Sequence, residues 1–563
     1  MGSEKFPVFV RSATGFVRSM TARDMLFLNV VSFGGAWSII YALEYAPLYG
    51  GSPIVSLLLT VPGILALLGV YYIFQVTMPR SGGDYVFMSR ALHPAIALAA
   101  NFAGYAFFLW FWIGDAAAVF SSQGLAQTLS VYGSLTGQKW ATDAAGAFNP
   151  TTTFVVGTIA IAIFTAIVLR STRLYFRIQN VAMVIAVLAI LVIIALLAGT
   201  NATSFASVLN DYATKQGINL AGGAYQNITG AGTAYWGGSV PTDLTSSTGA
   251  GYTFTLIPLW FTVLFWVYVS NYCGGETKNV RSSAKTALFG SFTIIFLTTL
   301  AVLGIAYSNL GAEFLTGAGY YAFAYAPNPL PVFPNLTLFA ALLANNPLLV
   351  WFIGIGVVAG FVLVAPQCMV LMSRILFGYS FDRVAPSFVS DISDRWHTPV
   401  KGILIAAAGG EVFLLFLSGV VGAPSPFPGF PSAIAFLLYS YAGLAAIGVT
   451  FTFVAISAII FPFRRRELYE TACPVKRKIA GLPLLTWLGI IALAYILGTI
   501  GYYTYNYNFY FGAGSLAATS YFPFLGAVGG LFVASIVWFY VAKTVRTKAG
   551  IPFEMAFKEI PPE

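Results

Sequence analysis

The chain has 563 residues, of which 58% are hydrophobic and only 8% are charged, and its formal net charge is +9. Its mean hydropathy is +0.81. A soluble protein of this length needs many more charged residues to cover its surface. The composition therefore excludes an ordinary water-soluble globular protein and indicates that lipid surrounds most of the chain.

Apolar stretches long enough to cross a membrane recur along the whole chain. The hydrocarbon core of a bilayer is about 30 Å thick, and a helix of roughly 20 residues crosses it. Because such stretches are bounded by charged residues, Pro or Gly, they predict an all-α polytopic membrane protein. We number the twelve predicted spans one to twelve in chain order, at residues 25–46, 53–77, 95–121, 152–170, 177–199, 253–272, 284–308, 348–378, 399–419, 433–461, 483–504 and 522–543.

The basic residues are distributed unevenly between the two sides of this arrangement. If the N-terminal segment is cytoplasmic, only Lys139 and Lys215 of the 28 Lys and Arg residues fall on the predicted outer side. Short cytoplasmic loops are enriched in Lys and Arg, so this pattern supports twelve spans with both termini in the cytoplasm. The expected location of the protein is the plasma membrane. It also explains the net positive charge without nucleic-acid binding.

Span one contains a glycine pair in the middle of the membrane. Gly34 and Gly35 are flanked by Ser32 and Ser38, and a glycine pair weakens a helix. Unwound backbone at this depth is found where it lines a cavity or binds something. From this span alone, close helix packing through small residues is an equal alternative.

Charged residues inside the membrane are costly and usually mark function. Asp115, in span three, either holds a substrate amine or carries a proton, or else lies near the outer end and contacts vestibule water. Glu411, in span nine, is predicted to be a structural carboxyl that accepts a hydrogen bond. Three scattered cysteines and two loop histidines predict no metal site.

Neither an enzyme nor a channel matches the sequence patterns. We find no Ser/His pair, acidic motif, histidine cluster or Gly-rich phosphate loop of the kind that indicates catalysis. Rings of charge and repeated filter sequences, which are typical of channels, are also not evident. A transporter of a small molecule remains as the class that the residues favour.

Three loops on the predicted cytoplasmic side carry recognisable motifs. They are Met78–Phe87 after span two, Gly275–Arg281 after span six, and Ser373–Gly378 with Phe381–Pro386 after span eight. The three motifs, in this order and after these spans, resemble the hallmark loops of the amino acid, polyamine and organocation (APC) superfamily. The resemblance covers most of residues 20–460.

This resemblance implies a leucine-transporter-type fold. Spans one to five and six to ten would form two inverted repeats, followed by two peripheral helices, and the first helix of each repeat would be broken where substrate binds. Many family members carry Gly at the second break, whereas this chain has aromatic residues, which predicts a small or apolar-lined pocket. The predicted substrate-binding residues are Ser32, Phe33, Gly34, Gly35, Ala36, Asp115, Phe265, Trp266 and Tyr268.

The resemblance also implies secondary active transport of amino acids by alternating access. Polyamines, nucleobases or another small organic cation are the alternative substrates. Proton-coupled relatives place a Lys in helix five, where this chain has Ala186, and sodium-coupled relatives use hydroxyls in helix eight, where residues 354–367 contain no Ser or Thr. Proton symport through another carboxyl and uncoupled exchange both stay open, and no cofactor other than H+ as the coupling ion is expected.

The predicted partners are a small-molecule substrate and the lipid bilayer, and the sequence does not indicate an oligomeric state.

The chain is predicted to have five parts. They are an N-terminal cytoplasmic segment 1–24, a ten-helix transport core 25–461, a basic cytoplasmic loop 462–482, two peripheral helices within 483–543 and a cytoplasmic tail 544–563.

Overall fold

Long apolar helices dominate the computed structural model, which describes residues 18–32, 46–322, 327–396, 398–422, 446–505 and 515–558. Within these ranges ten helices are long and apolar enough to cross a membrane, and a bent pair, Gly448–Arg464 with Arg466–Ala472, makes up to eleven. The predicted all-α polytopic fold class is confirmed. The ten helices are Pro53–Thr77, Pro94–Thr136, Pro150–Arg170, Thr172–Ala198, Ser247–Tyr272, Val280–Leu310, Pro347–Phe381, Val400–Leu417, Leu484–Tyr502 and Gly526–Lys548.

Ten of the twelve predicted spans coincide with these helices, namely spans two to nine, eleven and twelve. Span one begins in the helix Ala22–Ser32, and its residues 33–45 lie outside the described part of the chain. Span ten coincides with described helix only from Ala446 onward, because residues 423–445 lie outside as well.

Shorter elements connect the spans. The additional α-helices are Asp84–Ala91, Lys139–Gly146, Ala202–Lys215, Ala224–Trp236, Ala312–Ala322, Leu336–Ala344 and Arg466–Ala472. The 3₁₀ helices outside the spans are Ala46–Tyr49, Gly274–Glu276, Ser387–Ser390 and Phe553–Phe557. One antiparallel pair of two-residue strands, Lys478–Ile479 with Leu482–Pro483, is the only sheet among the described residues.

The segments between spans five and six, and between spans seven and eight, contain short helices. Asn201 and Asn335 cap two of them by accepting hydrogen bonds from the amides of Ser204 and Leu338, at 2.9 and 3.1 Å. The helices Ala224–Trp236 and Ala312–Ala322 cross with their backbones in contact: a Cβ placed on Gly317 would lie 1.8 Å from the carbonyl oxygen of Ile228. Glycine is therefore required at this crossing.

The described part of span one is fixed between three other spans. The Asn29 side chain accepts a hydrogen bond from the Ser270 amide at 2.8 Å and donates one to the carbonyl of Ala287 at 3.1 Å. The Gln367 amide donates to the carbonyl of Leu28. Span one therefore contacts spans six, seven and eight through specific hydrogen bonds.

Candidate functional site

Span six changes its helix type in the last third of its length. The α-helix Ile257–Leu264 gives way to a 3₁₀ helix, Phe265–Tyr272, and Val267 has a non-helical ψ of 15°. A 3₁₀ helix rarely exceeds four residues, and a stretch of it inside a longer helix often marks a hinge or a strained functional segment. We call Phe265–Tyr272 the span-six segment. It lies where the resemblance placed the second break.

Aromatic side chains surround this segment. The ring of Trp266 lies 5.7 Å from that of Trp112 and 5.9 Å from that of Tyr105, both of span three. Tyr268 packs on Tyr71 of span two at 4.5 Å. Phe265 and Tyr268 both contact the ring of Phe451, which belongs to span ten. The segment is thus enclosed by spans two, three and ten, and Trp266 is only 5% exposed.

The same segment carries buried polar groups that the described residues do not satisfy. Among the described residues, the Tyr268 and Ser270 hydroxyls and both amide atoms of Asn271 are buried without a hydrogen-bond partner. Buried polar groups almost always have a partner, and several unpaired ones at a single place call for a specific explanation. A polar ligand or ordered water bound beside the segment would satisfy them.

The other predicted site residues are placed as follows. The described helix extends to Ser32, while the side chain of Ser32 and the residues Phe33, Gly34, Gly35 and Ala36 lie outside the described part of the chain.

Asp115 is 1% exposed, so it does not contact vestibule water in this conformation. It lies in electrostatic range of Cys368 in span eight. Glu411 accepts a hydrogen bond from Thr158 of span four at 3.0 Å, which agrees with its predicted structural role. The binding roles of the remaining residues stay predictions.

The three motif loops meet at one end of the helix bundle, which we call the basic face. The amide of Gly82 donates to the carbonyl of Tyr272 at 3.2 Å, and Ser81 pairs with Cys273 across an antiparallel bridge. Gly83 has a φ of +47°, and a Cβ there would lie 2.7 Å from the Tyr272 ring. Both facts explain why glycine occupies this position: it lets the first loop pack directly on the end of span six.

A buried ion pair joins the second and third loops. The Arg374 guanidinium donates to both carboxylate oxygens of Glu276, at 2.8 and 3.1 Å. The side chains are 0% and 5% exposed, so the pair is desolvated. Its two parallel hydrogen bonds form the geometry in which Arg binds carboxylate most strongly. The N-terminal segment attaches at the same place, because the Glu276 carbonyl accepts from the amides of Ser19 and Met20.

A second buried ion pair joins the first loop to the third. Arg90 donates to both oxygens of Asp382, at 2.5 and 2.7 Å. Arg90 also donates to the carbonyl of Ala556, and its guanidinium lies over the ring of Phe557. The C-terminal 3₁₀ helix Phe553–Phe557 is thereby held against the basic face. Sequence reasoning singled out these loops but not the pairs within them.

A bundle of membrane-length helices, with one helix interrupted beside unpaired polar groups and loops that close one end, defines a polytopic membrane transporter. The model of a family described as amino acid permease matches residues 25–533. The chain belongs to this family, whose members are transporters and not enzymes. The resemblance to the APC superfamily is confirmed. Among proteins with curated functions, none matches the chain.

Proposed function

We propose that this protein is a secondary active transporter that carries amino acids by alternating access and binds them at the span-six segment. The observation that carries the proposal is the α to 3₁₀ change at Phe265, beside three buried polar side chains that have no hydrogen-bond partner among the described residues. The unpaired side-chain groups suit the ammonium and carboxylate of a zwitterion, and the aromatic walls suit an apolar side chain.

The predicted first break would complete the site. Asn29 is hydrogen-bonded to Ser270, so the residues that follow Ser32 continue from a helix already attached to the span-six segment. In the arrangement that the resemblance implies, Phe33, Gly34, Gly35 and Ala36 would offer amide groups to the substrate carboxylate. Asp115 would hold the ammonium group or a coupled proton.

The proposal includes orientation and coupling. The basic face lies on the cytoplasmic side, with both termini, because short cytoplasmic loops are rich in Lys and Arg. The membrane is the plasma membrane. Transport is proton-coupled symport or exchange. Span eight lacks the hydroxyls that sodium-coupled relatives use. Because the Lys of proton-coupled relatives is also missing from span five, a proton would act through another carboxyl, and uncoupled exchange is the alternative.

Uptake by purified protein in liposomes tests the function. The labelled substrates are the twenty amino acids, putrescine and adenine, each assayed with an inward proton gradient, with an inward sodium gradient and with neither. We expect at least one amino acid to accumulate, and its uptake to rise with the proton gradient and fall when an uncoupler is added.

Two outcomes would contradict the proposal. Accumulation of putrescine or adenine alone would favour the alternative substrate class. Amino acid uptake that follows sodium and ignores the uncoupler would keep the substrate and reject proton coupling.

A further inference from the structure

Asp84 lies at one end of a buried chain of hydrogen bonds at the basic face. It is 0% exposed, and its Oδ2 accepts a hydrogen bond from the Tyr272 hydroxyl at 2.6 Å. Tyr272 in turn accepts from Asn101 of span three at 3.3 Å, and Asn101 accepts from the Tyr379 hydroxyl of span eight. This chain of hydrogen bonds therefore links Asp84 to span six directly, and through Tyr272 and Asn101 to spans three and eight.

No cation of the described residues forms an ion pair with Asp84. The neighbouring arginines are engaged elsewhere: Arg90 binds Asp382, and Arg374 binds Glu276. Arg80, four positions before it, donates to the carbonyl of Pro79. The Oδ1 atom of Asp84 is buried without a hydrogen-bond partner among the described residues. A charged carboxylate is unfavourable in such a place, whereas a protonated carboxyl is tolerated.

Tyrosines are the titratable groups that face Asp84 from the elements packed around it. They are Tyr71 of span two, Tyr105 of span three, Tyr268 and Tyr272 of span six, and Tyr379 of span eight. Span ten, which also packs on the helix Asp84–Ala91, contributes no titratable side chain between residues 446 and 463. Tyrosines stay neutral at physiological pH, so the carboxyl is the group that changes charge there.

We propose that Asp84 binds a proton while the basic face is closed and releases it when that face opens, so that opening depends on pH. The inference rests on the proposed alternating-access function and names the group through which protons act. On opening, the Tyr272 contact is lost, the O–H bond of the carboxyl breaks, and the proton passes to water. The hydrated carboxylate that remains disfavours reburial until a proton returns.

The direction of the pH effect follows from the two environments. Burial raises the pKa of Asp84 to about 7, and the hydrogen bond from Tyr272 offsets part of the rise. A hydrated Asp has a pKa of about 4. The closed state therefore holds the extra proton. Its stabilisation by that proton is full below about pH 4, decreases as the pH rises toward 7, and is lost once the pH has risen through 7. Opening is expected to increase about tenfold between pH 6 and pH 8.

Cys273 provides a reporter of opening that needs no substrate. It follows Tyr272 directly, and burial raises the pKa of its thiol to about 12, so the closed protein reacts poorly with maleimide. The full chain, with Cys368 and Cys473 replaced by Ala, would be placed in lipid nanodiscs and labelled with a maleimide at pH 6, 7 and 8. The same protein carrying Asp84→Asn is the control, and dividing by its rates removes the intrinsic pH dependence of the thiol.

The expected normalised labelling rate rises about tenfold from pH 6 to pH 8. A normalised rate that stays flat overturns the inference.

Tyr272→Phe gives an independent check if the Asn variant does not fold. It removes a hydrogen bond from the charged carboxylate, so the midpoint should move up by about one to two pH units, and an unmoved midpoint also overturns the inference. The labelling experiment contains no amino acid. If the labelling rate rises tenfold but the uptake assay fails, the proposed function is rejected and this inference stands.

Discussion

Replacing Arg374 with Ala is expected to lower the free energy of unfolding by about 3–5 kcal/mol, because it leaves the Glu276 carboxylate buried without its partner. Both side chains are at most 5% exposed, so water cannot replace the lost guanidinium. Heating the purified variant in detergent, and following the folded fraction by size-exclusion chromatography, measures the loss as a fall in Tm.

The matched control is Lys401→Ala, which breaks an exposed ion pair with Asp391. The side chains of that pair are 52% and 61% exposed, and such pairs contribute less than about 1 kcal/mol. A double variant, Glu276→Leu with Arg374→Met, should recover much of the stability, since removing both charges also removes the desolvation cost. Equal Tm changes for Arg374→Ala and Lys401→Ala would contradict the assigned role of the buried pair.

Replacing Trp266 with Ala is expected to raise the KM for amino acid uptake roughly 30-fold. Truncation of a central aromatic contact in a binding site typically costs about 2 kcal/mol or more, and each 1.4 kcal/mol is about a factor of ten. The wall that Trp266 forms with Trp112 and Tyr105 would be lost. Initial rates of uptake into liposomes at several substrate concentrations give the measurement.

Trp140→Ala serves as the matched control, because Trp140 is 55% exposed and lies in the short helix Lys139–Gly146, away from the span-six segment. Its KM should stay within about twofold of the unmodified protein. If Trp266→Ala also leaves KM unchanged while the protein remains folded, the aromatic wall only packs the bundle and does not contact substrate.

Local sequence pattern was sufficient to predict most of the bundle. A run of roughly 20 apolar residues is a local property, which is why ten predicted spans coincide with observed helices. The end of span three was predicted less well. Polar residues after Phe120 suggested that the helix stops, but a π-helical segment, Phe120–Ala126, continues it to Thr136.

Contacts between distant residues were not accessible in this way. Glu276 and Arg374 are 98 positions apart, and Arg90 and Asp382 are 292 apart, so no local periodicity relates them. The order of the motifs placed their loops on one side of the membrane, but only the packed structure shows which charges pair. The Gly-Gly sequence before Asp84 signals a close approach of backbone, yet its partner, Tyr272, could not be named from sequence alone.

The central claim is that an amino acid binds beside the span-six segment, Phe265–Tyr272. A diazirine analogue of a transported amino acid, photoactivated on the purified protein with and without excess unlabelled substrate, tests it most directly. We expect the labelling that substrate suppresses to map, by mass spectrometry, to a peptide containing this segment. Suppressible labelling found only in helices that do not contact the segment would contradict the claim.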